Sequence, residues 1–160
     1  MQHPLESANA KGSARLLHLS LARSRLITGE VFSEQELQTH LHAPCDDRQT
    51  IRRHAILLYP DLPEEHALPM TTAPVLDQTW LHEPARLCLV VLDGTWRKSR
   101  KMLYLNPLLQ TLPRLPLRDT PPSRYLIRTA HRADQLSTLE ATCYALMQLE
   151  KNNEKFQPLL

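Results

Sequence analysis

The sequence has few cysteines, few glycines and no long apolar run, and each shortage excludes a class of protein. Its three cysteines lie far apart without a C-x-x-C pair, which predicts neither a disulfide framework nor a thiolate zinc site. The longest uninterrupted apolar run, residues 87–92, is too short to cross a bilayer. No charged-then-apolar leader is present at the start of the sequence. We therefore expect a cytoplasmic protein with no membrane partner.

No domain boundary is predicted, because the 160 residues contain only three glycines, no Gly/Ser-rich linker and no internal repeat. We expect one domain covering residues 1–160, which is long enough to bury roughly two-thirds of its unfolded surface. Thirteen prolines are present instead, and most of them cluster at residues 60–74 and 113–122. These clusters predict long loops, which often carry function.

Positive charge is unevenly distributed along the chain. Between residues 95 and 132 there are nine Lys or Arg and one acid, Asp119, whereas the rest of the chain has ten bases and sixteen acids. Such asymmetry is typical of a surface that binds a phosphate backbone, and an ordinary solvated face explains it equally well.

Hydrophobic patterns predict an α/β fold with a mainly parallel sheet flanked by helices. Compact apolar runs at residues 54–59 and 86–92 predict strands buried on both faces, with weaker strands at 112–117 and 125–128. Helices are expected at residues 14–23, after the capping box at Ser33, and after the capping box at Ser137. In the last helix, an apolar stripe of Leu139, Cys143, Leu146 and Leu149 is expected to pack on the sheet.

The turn after the strongest predicted strand carries the most chemistry. Asp93-Gly94 ends the strand, and Thr95 is placed to cap a helix at residues 96–105 that Asn106-Pro107 closes. Ligands of parallel sheets bind at the carboxyl ends of strands, and a helix start offers unpaired N–H groups to an anion. One face of this helix carries four cationic or aromatic residues, namely Arg97, Arg100, Lys101 and Tyr104.

Two further patterns invite a functional interpretation that we do not adopt. Asp77-Gln78-Thr79-Trp80 repeats the D-x-T-W string, but Pro84 disfavours a following helix, so we expect Asp77 to be a loop residue or a cap. His40, His42 and Cys45 are three metal-ligand types in a short segment without a fourth partner at suitable spacing. We therefore predict no metal site.

The string Leu92-Asp93-Gly94-Thr95-Trp96, followed by Arg97, Arg100, Lys101 and Asn106-Pro107, resembles the signature of the DTW-domain family. Three further segments match in order along the chain. They are His3-Pro4-x-Glu6 with Arg15-Leu16-Leu17, then Leu57-Leu58-Tyr59-Pro60, and finally Ser137-Thr138-x-Glu140-Ala141.

The resemblance implies a knotted α/β fold of the SPOUT superfamily, with the knot near the C-terminus. It also implies transfer of the 3-amino-3-carboxypropyl group of S-adenosylmethionine to N3 of a uridine in tRNA. Asp93 would be the catalytic base. The cofactor would contact Tyr59, Pro60, Leu92, Gly94, Thr95, Trp96, Ser137, Thr138 and Glu140. Arg15, Arg97, Arg100, Lys101, Arg124 and Arg128 would bind the RNA, while the oligomeric state is not implied.

Two departures from the family pattern are visible. The cysteine cluster that commonly precedes the H-P-x-E segment is absent, and the usual N-T-G-R reads Gly12-Ser13-Ala14-Arg15. The missing cysteine segment keeps an RNA-binding module without catalysis as an alternative. An RNA methyltransferase is the other alternative, because the same cofactor and related knotted folds serve that reaction.

Single residues also keep alternative roles. Asp93 can hold the turn or the ammonium of the cofactor instead of accepting a proton. Trp96 or Tyr104 can stack on a uridine, whereas a core position covering the sheet edge is the competing role for Trp96. His3 and Glu6 either face the pocket or end a strand, and Glu140 suits a capping box better than catalysis.

Overall fold

The computed structural model describes residues 1–8, 12–42, 53–61, 71–118, 120–121 and 136–160. The described helices are α1 (Pro4–Ser7), α2 (Ser13–Ser20), α3 (Glu34–His42), α4 (Trp96–Leu105), α5 (Pro107–Gln110) and α6 (Thr138–Glu150). The described strands are β1 (His54–Leu58), β2 (Leu87–Val90) and β3 (Arg114–Leu115). Short 3-10 helices span Gln78–His82, Pro84–Arg86 and Gln157–Leu159. The predicted α/β class is confirmed.

The described strands form a parallel sheet in the order β2-β1-β3. Strand β1 is central, with Ile56 paired to Leu89 and Leu58 paired to Leu115. Ile56 and Leu57 are almost fully buried, as expected for a strand covered on both faces. In β2, by contrast, Leu87, Cys88 and Leu89 are only half-buried, so burial on both faces was wrong for this strand.

The start of the chain lies alongside the continuation of β2. The backbone N–H of Asp93 donates to the Met1 carbonyl at 2.8 Å, and that of His3 donates to the Asp93 carbonyl at 2.9 Å. On its other side, Gln2 exchanges backbone hydrogen bonds with Ile27 and Gly29. The opening segment is thus held between two extended segments, and this brings it to the carboxyl end of the sheet.

Two layers of helices cover the sheet. The core on one side joins α3 and α4 to the strands, and its buried members include Leu37, Leu57, Met102 and Leu103. On the other side, α6 packs on Ile56 and Leu115 through Ala145 and Leu149. A separate cluster places Leu17 of α2 against Cys143 of α6. Of the apolar stripe predicted to pack on the sheet, Leu149 does so, whereas Leu139, Cys143 and Leu146 pack in the cluster with α2, so the prediction was wrong for these three.

Both predicted capping boxes are confirmed. The N–H and the hydroxyl of Ser33 both donate to Glu36 Oε2 at 2.8 Å. These two bonds, that of the N–H first, hold the pKa of Glu36 below its usual range. The Ser137 N–H donates to Glu140 Oε2 at 2.8 Å, and the Glu140 N–H donates back to Ser137 Oγ. Each box satisfies donors that a helix start would otherwise leave unpaired.

Element boundaries needed correction in several places. Helix α2 ends at Ser20 instead of residue 23, and β2 covers Leu87–Val90 instead of residues 86–92. The strand predicted at residues 112–117 is reduced to Arg114–Leu115. The strand predicted at residues 125–128 lies outside the described residues. No helix within the described residues is long and apolar enough to span a membrane.

Candidate functional site

Asp93 follows β2 at the carboxyl edge of the sheet, as the sequence predicted, and its side chain is buried. It is 7% exposed, and its Oδ2 accepts a hydrogen bond of 3.1 Å from Nε2 of Gln2, which is 5% exposed. The described residues form no hydrogen bond to the other carboxylate oxygen, Oδ1. Asp93 is therefore fixed through its backbone and through one side-chain oxygen, while Oδ1 is open to a further donor.

The turn between Asp93 and α4 leaves little room for a side chain at Gly94. A Cβ at this position would be 3.1 Å from Cβ of Lys98 and 3.5 Å from Cβ of His3. Thr95 then caps α4, since its hydroxyl oxygen accepts a bond from the Lys98 N–H. The first turn of a helix has N–H groups without helical partners, and α4 begins shortly after the carboxyl end of β2.

Two ion pairs connect α4 to the segments around residues 6 and 30. Lys98 Nζ lies 2.7 Å from Glu6 Oε1, and Lys101 Nζ lies 2.9 Å from Glu30 Oε2. The other oxygen of Glu30 lies 2.8 Å from Nε2 of His3, whose Nδ1 accepts from the Leu5 N–H. Because Nδ1 accepts, Nε2 carries the proton and donates to Glu30. These bonds, that of Lys101 first, hold the pKa of Glu30 below its usual range.

Trp96 is not a core residue. Its side chain is 47% exposed and stacks on Tyr59, with ring centroids 5.1 Å apart and an interplanar angle of 16°. Tyr59 itself is buried, which raises its pKa, and the guanidinium of Arg114 lies 5.7 Å from its ring centroid. One face of the Trp96 ring is thus occupied by Tyr59, and exposed indole surface remains at the start of α4. The core position considered for Trp96 was wrong, because the turn directs the first residue of α4 outward.

The whole chain matches one known protein family. The family described as DTW domain matches residues 1–160, the whole chain. The chain belongs to the DTW-domain family. No solved structure matches it significantly.

Three curated relatives of this DTW domain bear the same name, tRNA-uridine aminocarboxypropyltransferase 2. The Mus musculus protein is 31% identical over 96% of this chain and 47% of its own length. The Drosophila melanogaster protein is 28% identical over 100% of this chain and 59% of its own. The Macaca fascicularis protein is 30% identical over 100% of this chain and 50% of its own. The chain thus spans about half the length of the curated relatives that it matches.

The remaining residues expected at the cofactor site lie in three places, after β1, after β2 and at the start of α6. Pro60 is exposed after β1, and Leu92 is buried just before Asp93. Ser137, Thr138 and Glu140 form the start of α6, where the carboxylate of Glu140 accepts from the Ser137 N–H. Among the described residues, no hydrogen bond joins the start of α6 to the Asp93 turn. The capping role expected for Glu140 is confirmed.

The residues expected to bind RNA are partly exposed at α4. Arg97, Lys101 and Tyr104 are exposed, and Arg100 is half-buried on the same face. Lys101 already has Glu30 as an ionic partner, so its charge is partly neutralised. Arg15 is exposed on α2, while Arg124 and Arg128 lie outside the described residues.

The second D-x-T-W string has a structural role. Asp77 caps the 3-10 helix Gln78–His82 by accepting from the N–H and the hydroxyl of Thr79, which lower its pKa. Trp80 stacks on His54 at the amino end of β1, with ring centroids 4.1 Å apart. The two copies therefore lie at opposite ends of this strand, and the expectation of a cap at Asp77 is confirmed.

Of the metal-ligand types considered around α3, His40 and His42 lie in its last turn. Cys45 lies outside the described residues, which contain no group of three or more metal-binding side chains.

Gln2, Glu30 and Lys98 are site residues that the sequence did not single out. Gln2 reaches Asp93, Glu30 joins His3 to Lys101, and Lys98 pairs with Glu6. The sequence signal nearest to them was the H-P-x-E string, which begins one residue after Gln2. Two roles were considered for His3 and Glu6. The structure shows the His3 side chain bonded to Glu30 and the Glu6 side chain paired with Lys98, both beside the start of α4.

The Glu30 network gives the protein an acid-sensitive contact. Because the pKa of Glu30 is lowered in the folded state, its contribution to stability is present above its unfolded pKa and is lost as the pH falls through the folded value. We expect Glu30→Gln to lower the melting temperature at neutral pH and to approach the wild type toward pH values at which Glu30 is protonated. Thermal unfolding across a pH series measures this, and a constant difference across the series would contradict it.

Proposed function

We propose that this DTW domain transfers the 3-amino-3-carboxypropyl group from S-adenosylmethionine to N3 of a uridine in tRNA. The observation that supports this most strongly is the buried Asp93 carboxylate at the carboxyl end of β2, beside an exposed tryptophan and a cationic helix. The names of the three relatives point to the same reaction.

Asp93 acts as the general base in this proposal. Uridine N3 attacks the carbon of the aminocarboxypropyl group that is bonded to sulfur, the new N–C bond forms, and the C–S bond breaks. The electron pair of that bond remains on sulfur, so the sulfonium becomes a neutral thioether. The imide proton moves from N3 to Oδ1 of Asp93, the oxygen that Gln2 does not use. A positioned base of this kind contributes about 10²- to 10⁴-fold to a rate.

The residues around the turn fit a donor with an aromatic base and a carboxylate. The exposed part of Trp96 can pack against adenine, with Tyr59 supporting the indole from behind. The hydroxyl oxygens of Thr95 and Ser137 accept capping bonds, and each hydroxyl still has a hydrogen to donate to a carboxylate. The N–H groups at the start of α4 add further donors. The pose decides which carbon of the sulfonium is attacked, because that carbon must be in line with the nucleophile.

The outer face of α4 binds RNA phosphates in this proposal. Phosphate contacts supply affinity that falls with salt, because each neutralised phosphate releases counterions. Arg97 and Arg100 are candidates in the described chain because both lie on this face of α4, Arg97 exposed and Arg100 half-buried. Lys101 lies beside them and is paired with Glu30. Arg124 and Arg128, which lie outside the described residues, are proposed to extend the same surface.

We expect the double substitution of Arg97 and Arg100 by Ala to weaken tRNA binding and to flatten its salt dependence. The slope of log affinity against log salt should decrease by about 0.7 to 0.9 for each phosphate that the variant no longer neutralises. Fluorescence anisotropy with labelled tRNA at several salt concentrations measures it. Arg86→Ala is the matched control, because Arg86 precedes β2 at the opposite edge of the sheet. A slope that is unchanged by the double substitution would refute the assignment of this face.

Nucleoside mass spectrometry tests the function directly. Total tRNA is incubated with the protein and S-adenosylmethionine, digested and analysed for modified uridine. We expect a uridine that is heavier by one aminocarboxypropyl group. A methylated uridine would assign a methyltransferase instead, and unmodified RNA that still binds the protein would assign a non-catalytic RNA-binding module.

For the fold, we infer a single domain with the SPOUT topology and a knot near the C-terminus. The parallel strand order β2-β1-β3 and the packing of α6 on β1 and β3 support this.

A further inference from the structure

We propose that Gln2 is a positioning residue for Asp93: its side-chain amide holds Oδ2 and thereby presents Oδ1 to the substrate proton. The proposal rests on the proposed base role of Asp93 and adds a residue from the opening segment of the chain.

The contact itself is well defined. Gln2 Nε2 donates to Asp93 Oδ2 at 3.1 Å, and the exposed fractions of the two residues are 5% and 7%. An ionised carboxylate accepts hydrogen bonds and cannot donate, so the NH₂ end of the amide must face it. The orientation of the Gln2 side chain therefore follows from the chemistry of its partner.

Backbone hydrogen bonds fix Gln2 and Asp93 independently of the bond between their side chains. Gln2 and Asp93 are paired in parallel on adjacent extended segments, with Asp93 bonded to Met1 and His3. Gln2 is bonded on its other side to Ile27 and Gly29. Because both main chains are fixed, the side-chain bond orders few additional torsions. This arrangement satisfies the requirement that a catalytic group be supported by a second, rigid contact.

The Gln2 amide restricts the terminal side-chain torsion of Asp93, which the backbone turn does not fix. The terminal torsion of an aspartate is broad and roughly two-fold, so either oxygen can face the substrate unless one is held. With Oδ2 bonded to Gln2, the carboxylate plane is set and Oδ1 is the available acceptor. A base must lie within hydrogen-bond reach of the proton that it removes, and small errors in position cost large factors in rate.

The test is a double-mutant cycle on the transfer rate. Gln2→Met keeps the length of the side chain and removes the donor, and Gln2→Glu keeps its shape and replaces the donor by an oxygen. In the wild-type background, we expect each variant to lower kcat by about 10- to 100-fold with little change in KM. In the Asp93→Asn background, we expect Gln2→Met to have less than about a twofold further effect, because no base remains to be positioned.

Gln110→Met is the structural control. Gln110 is another buried glutamine, and its amide bonds Leu103, Tyr104 and Thr71 instead of a carboxylate. We expect it to lower the melting temperature while kcat, measured well below that temperature, changes little.

Two results would overturn the positioning role. One is a wild-type kcat in both Gln2 variants, and the other is an equal loss of rate from Gln2→Met in the two backgrounds. Formation of the modified uridine by the wild-type protein reports on the proposed function separately. The proposal about Gln2 can therefore fail while the function stands.

Discussion

Asp93→Asn should reduce the rate of aminocarboxypropyl transfer by about 10²- to 10⁴-fold, which is the usual contribution of a general base. Asparagine keeps the shape of the side chain, and its carbonyl oxygen can still accept the bond from Gln2, so the fold should be preserved. The affinity for S-adenosylmethionine should change little, because the base touches the uridine and not the donor. Single-turnover assays by nucleoside mass spectrometry measure the rate, and calorimetry measures the affinity.

The second D-x-T-W string supplies the matched control for this experiment. Asp77→Asn makes the same chemical change in a residue that caps a 3-10 helix at the other end of β1. Its transfer rate should equal that of the wild type. An Asp93→Asn variant that keeps both turnover and donor affinity would remove the base assignment. A variant that loses donor affinity would show instead that Asp93 holds the ammonium of the donor.

Asn106→Ala should destabilise the fold by about 2 to 4 kcal/mol, because it leaves three buried or partly buried backbone groups without partners. Asn106 is 1% exposed and joins α4 to the segment at residues 30–32. Its Oδ1 accepts from the Phe32 N–H at 2.9 Å, and its Nδ2 donates to the carbonyls of Glu30 at 2.9 Å and Met102 at 2.6 Å. Urea unfolding followed by circular dichroism gives the difference in free energy.

Asn106→Asp provides a sharper version of the same test. The aspartate keeps an acceptor for Phe32 but turns an oxygen toward the two carbonyls that Nδ2 served, so it should be at least as destabilising at neutral pH. Protonation of this carboxylate restores a donor, and part of the loss should be recovered in acid. Asn152→Ala is the control, because exposed Asn152 accepts bonds from the N–H groups of Glu154 and Lys155, and its loss should cost about 1 kcal/mol or less. Equal losses from Asn106→Ala and Asn152→Ala would contradict the structural role of Asn106.

Helix starts, the turn after β2 and the role of Asp77 were predictable from the sequence because each depends on residues within three or four positions. Ser33 with Glu36, Ser137 with Glu140, and Thr95 with Lys98 all form their bonds inside one helical turn. The D-x-T-W string was equally local. Strand ends were predicted less well, since strand length depends on which backbone lies alongside.

The tertiary structure alone decided the surroundings of the carboxylate. Gln2 and Asp93 are 91 residues apart in the chain, and Phe32 and Asn106 are 74 apart. Residues 1–3 lie beside residues 91–93 through backbone hydrogen bonds, which almost any sequence can form. No local sequence pattern therefore links such distant pairs. The sequence by itself determined that an aspartate lies in the turn between a strand and a cationic helix. Only the folded chain determined that a glutamine from the opening segment holds it, because long-range pairing depends on the packing of the whole sheet.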